Sequence, residues 1–219
     1  MLKIGHRGAR GEAPENTLEG FELAVKEGVN AVEFDVRGTK DGKLIVIHDE
    51  KLDRTTPMKG FVKDFTAKEI KTRAKSVLTL CEVLDFLKNK KIEKIFVEIK
   101  ELGSEEKVLK EIKKRRLENK AVVISFHRET VARIKKLLKN IETGFIFVGD
   151  TKKNMEVAKR IRADYAVAFY KFVHSSDVKR AHKSGLKVIV WTVNSEKEVE
   201  KYRKKGVDGI ASDFPKILV

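Results

Sequence analysis

The sequence holds a single cysteine, three prolines, one tryptophan and 7% aromatic residues among 219. Cys81 has no partner for an internal disulfide, which excludes a disulfide-stapled scaffold and fits a reducing compartment. With so few prolines and only fourteen glycines, the chain is neither collagen-like nor low-complexity. No apolar run approaches the roughly 18 residues of a membrane span. Met1-Leu2-Lys3-Ile4 runs straight into a candidate strand, so no signal peptide and a cytoplasmic location are expected.

What is present is charge. Charged residues make up 37% and apolar residues 41%, too apolar for disorder and enough to bury a sizeable core. The net charge is +15. Residues 1–50 carry 7 Lys+Arg against 10 Asp+Glu, and residues 51–219 carry 41 against 23. A basic surplus suits nucleic acid, an anionic membrane or an anionic substrate. Here most lysines alternate with glutamates on helical patterns, as in 105–116 and 196–205, which reads as a solvated face. A polyanion binder would cluster its cations with aromatics, so no nucleic-acid partner is expected. High Lys and Glu with few Cys and Met leans towards a thermophile.

Strand-like runs at 2–6, 31–36, 43–48, 94–100, 121–126, 144–148, 165–170, 187–193 and 207–211 alternate with helical patterns. Leu80, Val83, Leu84 and Leu87 form a buried helical stripe, and Val131, Ile134 and Leu138 a looser one. The first helix starts at Asn16 or Thr17, where Asn16-x-x-Glu19 resembles a capping box, and Gly28 is a stop at its end. Six residues, Arg37 to Asp41-Gly42, join 31–36 to 43–48, too few for a parallel crossover. Asp41-Gly42 signals a hairpin, so 43–48 is an extra antiparallel strand. Eight strands remain in βα alternation. They predict an α/β fold with an eight-stranded βα barrel in one domain, 1–219, and the site at the strands' carboxyl ends. An open doubly wound sheet is the rival.

Chemistry concentrates in residues 5–49. In Ala31-Val32-Glu33-Phe34-Asp35-Val36, strand alternation puts the apolar set on one face and Glu33 and Asp35 on the other. Ile95-Phe96-Val97-Glu98-Ile99-Lys100 repeats the design. Inward carboxylates are costly unless paired with a cation. Glu33, Asp35 and Glu98 form a hard-oxygen set for Mg²⁺ or Ca²⁺; pairing with Lys100 or an arginine is the other reading. His6 ends the first strand and His48 the extra one. A turn centred near Lys40-Asp41 places His48 opposite Glu33. Two imidazoles beside three carboxylates make a candidate acid/base pair. Arg7 and Lys100 are candidate phosphate contacts. His127 also ends a strand, without a matching partner pattern. His174 and His182 read as surface residues. The chemistry is metal-assisted hydrolysis or lyase-type transfer on a phosphate ester.

Several segments together resemble the glycerophosphodiester phosphodiesterase family. They are Gly5-His6-Arg7-Gly8, Pro14-Glu15-Asn16-Thr17, Glu33-Phe34-Asp35-Val36, Asp41-Gly42 and His48-Asp49. Further along come Leu52-Asp53-Arg54-Thr55-Thr56, Val97-Glu98-Ile99-Lys100, Trp191-Thr192-Val193-Asn194, Gly206-Val207-Asp208-Gly209 and Ser212-Asp213-Phe214-Pro215. The ordered set covers nearly the whole chain. The resemblance implies a (β/α)8 TIM-type barrel and a role in glycerol and lipid metabolism. It implies hydrolysis of glycerophosphodiesters to sn-glycerol 3-phosphate and an alcohol, with a divalent cation, Mg²⁺ or Ca²⁺. It implies Glu33, Asp35 and Glu98 as metal ligands and His6 and His48 as the acid/base pair. Arg7 and Lys100 then contact the phosphate, and Trp191 lines the pocket. Leu78, Ser212 and His127 depart from the family pattern. The short insertion, about 49–78, falls where the family varies its substrate choice. A lysophospholipase D or another phospholipid phosphodiesterase is the alternative. With no exposed apolar helix or lipidation motif, small diesters rank first and no stable membrane anchoring is expected.

Overall fold

The computed structural model describes residues 1–219. It opens with strand β1 (Leu2–Gly5), helix α1 (Leu18–Lys26) and strand β2 (Ala31–Gly38). An excursion follows, made of β3 (Leu44–Val46), α2 (Ala67–Arg73) and β4 (Leu78–Thr79). Helix α3 (Leu80–Lys88) returns the chain to the sheet at β5 (Lys94–Ile99). Regular alternation then runs through α4 (Glu105–Lys114), β6 (Ala121–Ser125), α5 (Arg128–Leu137), β7 (Glu142–Phe147) and α6 (Thr151–Arg160). It closes with β8 (Tyr165–Phe169), α7 (Ser175–Lys183), β9 (Lys187–Trp191), α8 (Glu196–Lys205) and β10 (Gly209–Ser212).

The hydrogen-bonded order β1-β10-β9-β8-β7-β6-β5-β2 closes through β1–β2, giving an eight-stranded parallel barrel. The open-sheet rival is excluded. Strand alternation sorts the core into two shells. Val32, Phe34, Val36, Val97 and Ile99 face outward onto Phe21, Leu84, Leu87 and other helix residues. Ile4, Phe96, Val122, Ile124, Ile146, Val167 and Ile189 fill the barrel interior. The predicted stripe Leu80, Val83, Leu84 and Leu87 is fully buried on α3. No helix is long and apolar enough to cross a membrane.

Strand β3 is antiparallel, as expected, but its register differs by one residue. Val36 pairs with Val46 and Gly38 with Leu44. The turn centres on Asp41, because Gly42 adopts φ +71° and its N–H donates to the Thr39 carbonyl. His48 therefore lies past the ladder rather than opposite Glu33. Strand β3 takes the edge of β2 that β1 leaves. Val32 pairs with Gly5 on that edge and Ile95 on the other, whereas Val36 pairs with Val46 and Ile99.

The insertion is more structured than its length suggested. Helix α2 and strand β4 were not foreseen. Leu52, Met58, Val62, Ile70 and Val77 pack with Ile45 and Ile47 into a core of their own.

Candidate functional site

The site forms where β1, β2 and β5 end. The loop after β1 passes through two left-handed non-glycine residues, Arg7 at φ +50° and Asn16 at φ +59°. Such conformations are strained and need local compensation. Here the twist turns the Arg7 N–H onto Glu33 Oε2 at 2.9 Å, and Asn16 Nδ2 donates to Asp35 Oδ2 at 2.9 Å. Asn16 is thus not the cap of α1. Thr17 caps it, accepting from the Gly20 N–H, and Gly28 follows the helix at φ +86°.

Glu33, Asp35 and Glu98 converge inside the mouth, their nearest oxygens within 4.8 Å of one another, and all three are buried. Lys100 Nζ stands 2.9 Å from Asp35 Oδ1 and 2.7 Å from Glu98 Oε1. The Arg7 Nε lies 3.4 Å from Asp35 Oδ2. Both cations are paired with the site's own carboxylates, the second reading of the sequence. One acceptor is left over: Glu33 Oε1 is buried without a hydrogen-bond partner. An all-oxygen donor set with an orphaned buried carboxylate oxygen fits a hard divalent cation.

Ionisation splits within the cluster. Burial raises Glu33 well above the ordinary carboxylate range, and Asp35 and Glu98 push it the same way. Burial also raises Glu98, to about 7, with Asp35 adding and Lys100 opposing. Burial would raise Asp35 too, but Lys100 and Arg7 overcome it and hold the group well below its usual value.

The histidines flank this cluster. His6 Nδ1 meets Asp213 Oδ1 at 2.6 Å, and His48 Nδ1 meets Asp49 Oδ1 at 2.6 Å. A carboxylate only accepts, so each Nδ1 carries the proton and Nε2 is left for chemistry. Asn194 Nδ2 donates to Asp213 Oδ2 at 2.8 Å, steadying the first pair. Burial and Lys100 push the His48 imidazole below its ordinary value, against Asp35 and Asp49.

His6, Arg7, Glu33, His48, Glu98, Lys100 and Trp191 line one cavity, with Phe126 on its apolar side. The Trp191 and Phe126 rings meet edge to face, 5.7 Å apart, and Trp191 Nε1 donates to the Val167 carbonyl. His127 begins α5, with its ring Nε2 3.2 Å from the Lys100 carbonyl, and stands outside the cavity lining. His174 begins α7, and His182 pairs with Asp208 on the helix surface. The sequence pattern assigned no role to Asp49 or Asp213 and gave Asn16 a helix cap instead of its contact with Asp35. Asp49, next to His48, was the most accessible signal; Asp213 lies 207 residues from His6.

Residues 6–217 match the model of the glycerophosphoryl diester phosphodiesterase family. The chain belongs to this family. A glycerophosphodiester phosphodiesterase of Caldanaerobacter subterraneus is 35% identical, over 100% of this chain and 96% of its own. One from Bacillus altitudinis is 37% identical over 98% and 96%. Among solved structures, the Thermotoga maritima enzyme superposes with TM-score 0.86 at 30% identity, over 99% of this chain and 96% of that one. An Oleispira antarctica phosphodiesterase in complex with its product sn-glycerol-3-phosphate gives TM-score 0.88 at 25% identity, over 98% and 94%.

Proposed function

We propose that this chain, acting as one barrel domain over 1–219, hydrolyses glycerophosphodiesters to sn-glycerol 3-phosphate and an alcohol by His6/His48 acid–base catalysis. The observation that carries this reading is the pair of carboxylate-anchored imidazoles flanking one three-carboxylate cluster in a single cavity.

Each residue has a task. His48, kept neutral near pH 7 by its lowered pKa, suits proton removal from the attacking oxygen. His6, held by Asp213, suits protonation of the leaving alkoxide. Their carboxylate partners fix each ring's tautomer and stabilise the imidazolium form. Arg7 and Lys100 supply positive charge beside the phosphate, where a low-dielectric site strengthens it. Trp191 closes the apolar side against the substrate's carbon skeleton. Glu33, Asp35 and Glu98 would hold Mg²⁺ or Ca²⁺. When bound, that ion neutralises phosphate charge and polarises a phosphoryl oxygen. The attacking oxygen is the substrate's own glycerol hydroxyl, through a cyclic phosphate, or a water.

The test is metal-dependent release of glycerol 3-phosphate from a panel of glycerophosphodiesters. His6→Ala and His48→Ala are each expected to lower kcat by on the order of 10²-fold. Full rate in both variants would overturn the acid–base assignment, and indifference to strong chelators would overturn the metal. Trapping of a cyclic glycerophosphate at short times identifies the attacker.

A further inference from the structure

The insertion carries one arginine to the edge of the site. Residues 50–62 fold back on themselves: Leu52 N donates to the Gly60 carbonyl and Val62 N to the Glu50 carbonyl, each at 2.9 Å. Leu52 is fully buried in the insertion's core and anchors this turn. Two residues on, Arg54 points back to the barrel mouth. Its guanidinium grips two carboxylates at once. Nε and Nη2 reach Asp49 Oδ2 and Oδ1 at 2.6 and 3.1 Å. Nη1 and Nη2 reach Glu15 Oε2 and Oε1 at 2.8 and 2.7 Å.

Each carboxylate has its other hand on the site. Asp49 holds His48 Nδ1, and Glu15 accepts from Arg7 Nη1 at 3.1 Å. Arg10 Nε also approaches Glu15, at 3.2 Å. Glu15 therefore keeps two cations without Arg54, whereas Asp49 keeps only His48. Asp49 is 30% exposed, so once released it is free to turn to solvent.

We propose that Arg54 is a positioning residue for the reaction: it clamps Asp49 and Glu15 together and through them sets His48 and Arg7. This rests on the reading that those two residues act on the phosphodiester. Exposed ion pairs contribute little to stability, and the Arg54 side chain is 46% exposed. Its forked contact with both carboxylates is geometric, and a lysine ammonium cannot reproduce it. Loss of Arg54 therefore falls on the catalytic step more than on folding. The insertion thereby becomes a second support for the acid–base pair.

The experiment compares wild type, Arg54→Ala, Arg54→Lys, Asp49→Asn and the double variant of Arg54→Ala with Asp49→Asn. Arg54→Ala is expected to lose on the order of 10-fold in kcat, as small misplacements of catalytic groups do. KM should move by less than about threefold. The double variant should be no slower than the slower single one, because both changes act through one contact. Nitrogen NMR of the His48 ring should show a single Nδ1-protonated tautomer in wild type and a mixture in Arg54→Ala. Unchanged kcat, losses that multiply in the double variant, or an unaltered His48 ring signal would each overturn the proposal. If Arg54→Ala does not fold, Arg54→Lys is read by the same criteria. If wild type itself releases no glycerol 3-phosphate, the functional reading fails, while the ring signal still tests the clamp.

Discussion

Burial acts on three neighbouring carboxylates and leaves them in different states. Asp35, gripped by Lys100 and Arg7, stays ionised; Glu33 and Glu98 are pushed upward. For Glu98 the folded-state value, about 7, exceeds the ordinary 4.5. Folding then takes up a proton, so its contribution to stability is present below about 4.5 and is lost as pH rises through about 7. Metal-free Glu98→Gln, which cannot ionise, should gain Tm relative to metal-free wild type between about pH 5 and 8. Mg²⁺ or Ca²⁺ should raise wild-type Tm more at the upper end, where protons no longer compete for the oxygens. A pH-independent Tm difference would contradict the assignment. The carboxylates were legible in the sequence because strand alternation alone puts Glu33, Asp35 and Glu98 on the inner face. The groups that hold the histidines were not. Asp213 reaches His6 from 207 residues away and Arg54 reaches Glu15 across 39, and no local pattern encodes either approach; only Asp49, beside His48 and five residues from Arg54, was within local reach.

At the scale of elements, local chemistry was a good guide wherever a run was long. Eight barrel strands and the α3 stripe follow from alternation and helical spacing. Helix α2 and the two-residue strand β4 escaped notice because they are short. Helix α2 is buried by packing with Ile45 and Ile47, and Leu78 of β4 by packing in the main core beside Val46, rather than by a periodic pattern of their own. The β2–β3 register slipped because a single left-handed glycine sets the turn centre. The loop after β1 depends on a similar detail. Gly8 sits at φ +84°, and a Cβ there would stand 2.7 Å from the Gly20 carbonyl carbon. Gly8→Ala should therefore cost more than about 1 kcal/mol in denaturant unfolding. It should also disturb Arg7, the preceding residue, and lower kcat. A variant as stable and active as wild type would show that α1 yields easily at this contact.

For the whole molecule, the surplus of basic residues was the most visible feature and the least informative about the reaction. The interior of the mouth is set by three acids, two histidines and two cations, whatever the total charge. Closure of the ring is more telling. Six of the eight junctions around the barrel are ladders of four to six residue pairs, but β9–β10 and β1–β2 have only two each, the latter Ile4–Ala31 and Gly5–Val32. Beyond them, the seam is held by side chains: the Arg7 N–H on Glu33 and Asn16 on Asp35. Glu33 and Asp35, which would grip a metal, are therefore also stitches of one of the barrel's two narrowest joins. Breathing of this region should depend on what the mouth contains. Amide hydrogens of residues 4–7 and 31–35 should exchange faster than those of β7 and β8 in the metal-free protein. They should slow when a divalent cation and glycerol 3-phosphate are added. Ligand-independent exchange there would mean that the seam closes without help. Otherwise, substrate binding and completion of the barrel wall are one cooperative event.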